Sequence, residues 1–184
     1  LSLRGEYAPV NEIRPIQWSG GKLWLLDQTR LPLEEITLEL DRCQQAIDAI
    51  HDMQVRGAPA IGVTAGYAMA MAAREISSSS PEDYMYQLED AASRVAAARP
   101  TAVNLFWAVE RMMGLAKIDP DPEGMPERLL AEAQRMYQED EEINRKMGSL
   151  GKDLMPDGGA VLTHCNTGAL ATTGFGTALG GIRA

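Results

Sequence analysis

The sequence predicts an α/β chain: a mainly helical N-terminal domain with a short β-hairpin, followed by the first strand and helix of a second, α/β domain. Three observations predict it. Two apolar bursts, residues 16–18 and 23–26, flank Ser19-Gly20-Gly21-Lys22, and Gly-Gly between extended runs is a hairpin signal. From residue 34 to residue 150 the apolar side chains recur at helical intervals. After Pro156-Asp157-Gly158-Gly159 the texture changes to a short apolar run and a Gly/Ala/Thr-rich stretch. The expected domains are therefore residues 1–150 and residues 151–184.

Each element has its own signature. Ile36, Leu40, Cys43, Ile47 and Ile50 recur at spacings of four, three, four and three, which predicts an amphipathic helix with Cys43 in its buried stripe. A second helix is expected after Gly57, with Pro59 in its first turn and a small, all-round apolar body over residues 60–73 that suits central packing. Residues 77–80 form a serine linker, and Ser80-Pro81-Glu82-Asp83 reads as N-cap, proline at the first helical position and acid in the first turn. Leu88, Ala92 and Val95 follow at helical spacing. Arg99-Pro100-Thr101 ends that helix, and Thr101 is expected to cap the next, which turns Leu105, Val109 and Met112 or Met113 inward. Pro120, Pro122, Gly124 and Pro126 make a loop before a long charged helix over residues 127–150. Residues 160–164, bounded by glycines, predict a buried strand, with a helix forming towards residue 184. A parallel sheet needs further strands, so this second domain is expected to be truncated and completed by a companion C-terminal segment or chain.

Composition narrows the function classes. The chain has 184 residues, 17 Lys+Arg against 26 Asp+Glu, a formal charge of −9, 45% apolar and 23% charged residues. That is a soluble globular composition. The acidic balance argues against a nucleic-acid partner, because phosphate-backbone affinity rests on Lys and Arg. Any anionic ligand has to be held locally. Two cysteines, Cys43 and Cys165, are too few for a disulfide framework and suit a reducing cytoplasm. No run approaches the roughly 18 apolar residues of a membrane span, and residues 1–10 lack a signal pattern. No membrane partner is expected.

Four local patterns bear on chemistry. Arg56-Gly57-Ala58-Pro59-Ala60-Ile61-Gly62 places a guanidinium beside the free N–H groups and positive dipole end of a helix start, a setting for phosphate or carboxylate. On spacing alone, a tight turn with a surface arginine accounts for it equally well. Arg99-Pro100-Thr101-Ala102-Val103-Asn104 repeats the device, and both arginines are expected to converge on one anion. Cys165 stands at the carboxyl end of the predicted strand, where open α/β sheets place ligands, ahead of a glycine-rich turn that would activate a thiol. Gly174-Phe175-Gly176-Thr177-Ala178-Leu179-Gly180 has a G-x-G-x-x-x-G spacing, but nine residues separate it from the strand, and close helix–sheet packing explains it adequately. His164 neighbours Cys165, yet adjacent strand residues point to opposite faces, which argues against a Cys-His pair. His51 is expected at a helix C-terminus. Two histidines and two cysteines have no zinc spacing, so no metal and no cofactor are implied. The run Glu139-Asp140-Glu141-Glu142 is expected to be a solvated helix face.

Taken together, Arg56 to Gly62, Arg99 to Asn104, Thr163-His164-Cys165-Asn166-Thr167-Gly168 through Gly180, and the opening Ile13-Arg14-Pro15-Ile16-Gln17-Trp18 resemble the methylthioribose-1-phosphate isomerase family. The resemblance covers nearly the whole chain and the first half of a typical member. It implies a helical N-terminal domain, a Rossmann-like C-terminal domain truncated here, an active site between them, and a homodimer. The implied activity is conversion of 5-methylthioribose 1-phosphate to 5-methylthioribulose 1-phosphate in methionine salvage, part of methionine biosynthesis. By motif, Arg56, Gly57 and Ala58 match the substrate-binding Arg-Gly-Ala, Arg99 the second substrate-binding arginine, and Cys165 the catalytic cysteine. The family's catalytic aspartate and its Gln and Asn-Lys ligands have no counterpart in these residues.

The same broad family includes ribose-1,5-bisphosphate isomerase and the non-catalytic regulatory subunits of the initiation-factor 2B type. Retention of both arginine motifs and of Cys165 favours an isomerase, since a scaffold needs no phosphate cradle beside a thiol. The resemblance leaves open whether Cys165 is a base or assists a hydride shift.

Overall fold

The computed structural model describes residues 13–156 and 158–184; residues 1–10, read above for targeting signals, and Asp157 lie outside them. The hairpin forms as expected. Strands β1 (Ile16–Ser19) and β2 (Lys22–Leu26) pair antiparallel around Gly20 and Gly21, whose φ of 60° and 77° supply the two left-handed residues that a tight hairpin turn requires. A third strand, β3 (Thr37–Leu40), pairs antiparallel with β2, with Leu23 opposite Leu40 and Leu25 opposite Leu38. The helical periodicity of Ile36 and Leu40 is thus misleading. Leu38 and Leu40 alternate at a period of two, and the exposed edge of β2 gives this segment a ladder to join, so the helix α1 starts only at Cys43 and runs to His51.

The centre of the molecule is α2 (Ala58–Glu75), in which every residue from Ala60 to Ala73 is buried. Its small side chains allow four other helices to approach. A Cβ on Gly62 would lie 3.1 Å from the Asn104 carbonyl oxygen of α4 (Val103–Ile118), and one on Gly66 would lie 3.1 Å from the Met136 sulfur of α5 (Met125–Gly151). Helices α1 and α3 (Pro81–Ala97) also pack on α2. The Ser80 hydroxyl accepts from the Asp83 N–H, as its N-cap position predicts. The sheet is fastened to this core by Ile16, Leu23 and Leu25, all fully buried, and by stacking of Trp18 on Tyr67 at 5.3 Å between ring centroids.

Helix α4 begins one residue later than expected. The Ala102 N–H bonds the Arg99 carbonyl, so Ala102 rather than Thr101 is the N-cap, and no side chain caps the helix. The acidic run on α5 is also not simply solvated. Glu139 takes a two-pronged contact from Arg111, whose Nε also reaches Glu132 at 2.6 Å, fastening α4 to α5. Asp140 accepts from Asn144 and from the Thr173 N–H and hydroxyl, and Glu141 pairs with Arg145.

The C-terminal stretch departs most from expectation. Residues 160–164 form no strand: Leu162 is 99% exposed, Val161 is exposed, and no backbone hydrogen bond joins them to another segment among the described residues. A strand exists by pairing, and the sheet formed by residues 16–40 does not extend to this run. A short 3-10 turn, Ala169–Ala171, then leads to the helix α6 (Ala178–Arg183), which packs on α5. The glycines of the G-x-G pattern serve close packing within this stretch: a Cβ on Gly176 would lie 2.9 Å from the Thr167 carbonyl oxygen, and one on Gly180 would lie 2.9 Å from the Phe175 ring.

Candidate functional site

The turn before α2 begins with Val55, buried, and Arg56, exposed. Arg56 makes no hydrogen bond or ion pair among the described residues, so its guanidinium is available to a ligand. Gly57 follows at φ 96°, a conformation that L side chains rarely adopt, and it is the N-cap of α2 without a capping side chain. Pro59 has no N–H and the Ile61 N–H donates to the Gly57 carbonyl, so the Ala58 and Ala60 N–H groups are the first-turn donors left without a partner among the described residues, at the positive end of an 18-residue helix. Ala58 is exposed at this rim.

A second helix start lies beside the first. Gly62, one turn into α2, touches Asn104 at the head of α4, and the uncapped Ala102 leaves the first N–H groups of α4 open as well. Arg99 precedes them in the turn closed by the Ala102 N–H and is half-buried, with no side-chain partner among the described residues. Two uncapped helix N-termini, each preceded by an arginine, therefore belong to helices that pack together where Gly62 meets Asn104.

The stretch that follows Cys165 meets the Arg56 turn at Ala171. A Cβ on Gly57 would lie 2.5 Å from the Ala171 Cβ and 2.6 Å from the Ala171 oxygen, so only glycine permits the approach. Cys165 itself is exposed and holds a left-handed backbone, φ 65°, uncommon for a residue with a side chain. Its loop is tied by Thr163 Oγ1 to Thr167 Oγ1 at 3.1 Å and by the Thr177 N–H to the Thr167 carbonyl at 2.9 Å. His164 is exposed and makes no hydrogen bond with Cys165 among the described residues. The structure thus packs Gly57, next to Arg56, on Ala171, six residues after Cys165, and packs Gly62 of α2 on Asn104, five residues after Arg99. It shows no hydrogen bond or ion pair between the three side chains themselves among the described residues.

Cys43 behaves as a core residue: it is buried beneath α2, and removal from water pushes its thiol up to about 12. His51 ends α1 and bonds the Asp52 carboxylate at 2.8 Å rather than a helix carbonyl. Sequence reasoning missed Gln28. Its side chain is buried and donates to the Leu170 carbonyl at 2.8 Å, while its backbone N–H donates to the Gln54 carbonyl at 2.9 Å. Among the described residues no helix is long and apolar enough to cross a membrane.

Known proteins resemble this chain in sequence and in fold. The chain is 51% identical over 172 residues to the methylthioribose-1-phosphate isomerase of Thioalkalivibrio sulfidiphilus, an alignment covering 93% of this chain and 48% of that protein. It is 50% identical over 180 residues to the isomerase of the same name from Xanthomonas campestris pv. campestris, covering 97% and 50%. Among solved structures it is similar to 5-methylthioribose 1-phosphate isomerase from Pyrococcus horikoshii, with TM-score 0.84, 34% identity, and coverage of 92% and 48%. It is also similar to the translation initiation factor eIF-2B subunit delta from A. fulgidus, with TM-score 0.82, 43% identity, and coverage of 93% and 50%. The chain spans about half the length of the curated relatives it matches. Residues 54–184, from the turn before Arg56 to the last residue, match the profile of one family, and the chain belongs to it: the Initiation factor 2 subunit family.

Proposed function

We propose that this chain forms the phosphate-holding wall and the cysteine corner of a cytoplasmic aldose–ketose isomerase acting on 5-methylthioribose 1-phosphate in methionine salvage. The observation that carries the reading is the packing of Gly57 on Ala171, which brings the Arg-Gly-Ala turn against the loop that follows Cys165. Names of relatives at about half identity support the same substrate. The enzyme works as a homodimer. A companion segment supplies the opposite wall, with the catalytic aspartate, and completes a Rossmann-like domain in which α6 is the first helix.

Arg56, Arg99 and the open N–H groups of α2 and α4 hold the substrate phosphate, with Gly57 and Ala58 giving the backbone close approach. The phosphate locks the anomeric carbon, so the bond from C1 to the ring oxygen breaks and its electron pair leaves with that oxygen. The hydrogen lost at C2 is regained at C1. The proton lost by the C2 hydroxyl is regained at the former ring oxygen. C2 is thereby oxidised and C1 reduced within one molecule, and atoms and charge balance without an external oxidant. Cys165 lies at the C1–C2 centre, where positioning of the reacting atoms lowers the barrier.

A non-catalytic regulatory subunit is the second reading, favoured by the likeness to the A. fulgidus structure. Thermal denaturation of the native polypeptide with 5-methylthioribose 1-phosphate separates the two, because a ligand that binds only the folded state raises its melting temperature. An isomerase gains several degrees and forms the ketose; a scaffold does neither. Tighter binding and faster turnover of ribose 1,5-bisphosphate would reassign the substrate.

A further inference from the structure

We infer that Gln28 is a positioning residue that sets the spacing between Arg56 and Cys165. It bridges the two segments that carry them. Its backbone N–H donates to the Gln54 carbonyl, two residues before Arg56, at 2.9 Å. Its side-chain Nε2 donates to the Leu170 carbonyl, five residues after Cys165 and next to the Ala171 that packs on Gly57, at 2.8 Å.

The bridge is rigid at both ends. Gln28 is only 8% exposed, so its amide has few alternatives to the Leu170 carbonyl, and an unmade bond there would leave a buried polar group unsatisfied. Asp27 next to it is 4% exposed, and its carboxylate accepts from the Thr29 N–H and hydroxyl and from Gln54 Nε2 at 3.4 Å. These bonds fix the backbone from which Gln28 reaches out. Downstream, Asp140 holds Thr173 through its N–H at 2.8 Å and its hydroxyl at 2.9 Å, so the loop beyond Cys165 is pinned at Leu170 and again at Thr173. The Thr173 pin attaches the loop to α5. Among the described residues, only the Leu170 pin refers it to the Arg56 turn by a hydrogen bond.

The inference rests on the sugar-phosphate reading of the site, since it concerns the distance between a phosphate anchor and a reacting centre. A misplacement of about 1 Å between such groups costs up to a hundredfold in rate. Gln28 touches neither in this account and acts through the two backbones.

The test is alkylation of Cys165 by iodoacetamide, with and without saturating 5-methylthioribose 1-phosphate, in the wild type and in Gln28→Met. Cys43, buried, reports folding by staying unreactive. The wild type is expected to be protected at least fivefold by the sugar phosphate, and Gln28→Met less than twofold. In the native isomerase, the same variant is expected to lose at least tenfold in kcat per folded site, the folded fraction being counted by unreactive Cys43, with KM within threefold, so that a loss of folded protein alone cannot account for the change. Equal protection and equal kcat in a folded Gln28→Met protein would overturn the inference while leaving the sugar-phosphate reading intact. No protection in the wild type would overturn the sugar-phosphate reading, and this inference with it. Should Gln28→Met expose Cys43, Gln28→Glu keeps the side-chain shape, replaces the donor by an acceptor facing the Leu170 carbonyl, and is expected to give the same losses.

Discussion

Gly57 and Ala171 approach so closely that a Cβ on the glycine would lie 2.5 Å from that of the alanine, although 114 positions separate them in sequence. This contact is where the helical body meets the loop that follows Cys165. Gly57→Ala therefore adds a clash against backbone to a positive φ that alanine resists. The expected loss is about 2–4 kcal/mol of unfolding free energy, read as a lower urea midpoint, together with weaker sugar-phosphate binding. An unchanged midpoint would show that the loop is not seated on the turn.

Arg56 presents the opposite case. It is exposed and without a partner among the described residues, so Arg56→Ala is expected to change stability by less than about 0.5 kcal/mol. Its affinity for 5-methylthioribose 1-phosphate should fall by about tenfold or more, the loss of one charge-assisted contact. Titration calorimetry beside urea denaturation checks both. A fall in stability with unaltered affinity would make Arg56 a structural turn residue.

The two cysteines should separate chemically. Under native conditions a thiol reagent is expected to label Cys165, exposed, and to spare Cys43, whose burial raises its thiol to about 12 and denies access. Mass analysis of the labelled chain should show one adduct natively and two after denaturation. Native labelling of Cys43 would contradict the packing of α1 under α2.

Arg111 joins α4 to α5, and its loss should carry a pH signature. The Arg111 hydrogen bond holds the Glu139 carboxyl below its ordinary value of 4.5, the attraction outweighing a partial desolvation. A carboxylate with a depressed folded-state pKa stabilises the fold above its unfolded value, and that contribution is lost as pH falls through the folded value. Glu139→Gln should thus be less stable than wild type at neutral pH, by a small amount because the side chain is part-exposed, and the gap should close as the pH falls below the ordinary carboxylate range. A gap that is constant with pH would remove the ionic pairing from the account.

Local signals carried much of this structure. Gly20-Gly21 marks the hairpin, Ser80-Pro81 marks the start of α3, and the unbroken small apolar run after Gly57 marks a helix buried on all sides; each forms where its sequence places it. Patterns with two readings failed. Ile36 and Leu40 satisfy a helical spacing, yet the same stretch alternates as β3 does, and pairing with β2 decides between them. The run from Ala160 to His164 has strand composition and finds no neighbour to pair with among the described residues.

The site divides in the same way. Arg56, Arg99 and Cys165 stand in motifs that local sequence displays, whereas the contacts beside them, Gly57 with Ala171 and Gly62 with Asn104, come from the tertiary fold. Gln28 and Asp140 were invisible, because a side chain bonded to backbone 142 or 33 positions away leaves no periodic trace. The acidic run concealed its partners for the same reason: Arg111 lies on another helix.

Turnover tests the central claim most directly. The native polypeptide that carries these residues, incubated with 5-methylthioribose 1-phosphate and followed by carbon NMR, should produce the C2 ketone of 5-methylthioribulose 1-phosphate. Cys165→Ser, at an exposed position, should melt within about 2 °C of wild type yet lose at least a hundredfold in rate. Absence of ketone from the folded native polypeptide, or near-normal turnover by Cys165→Ser, would contradict the account.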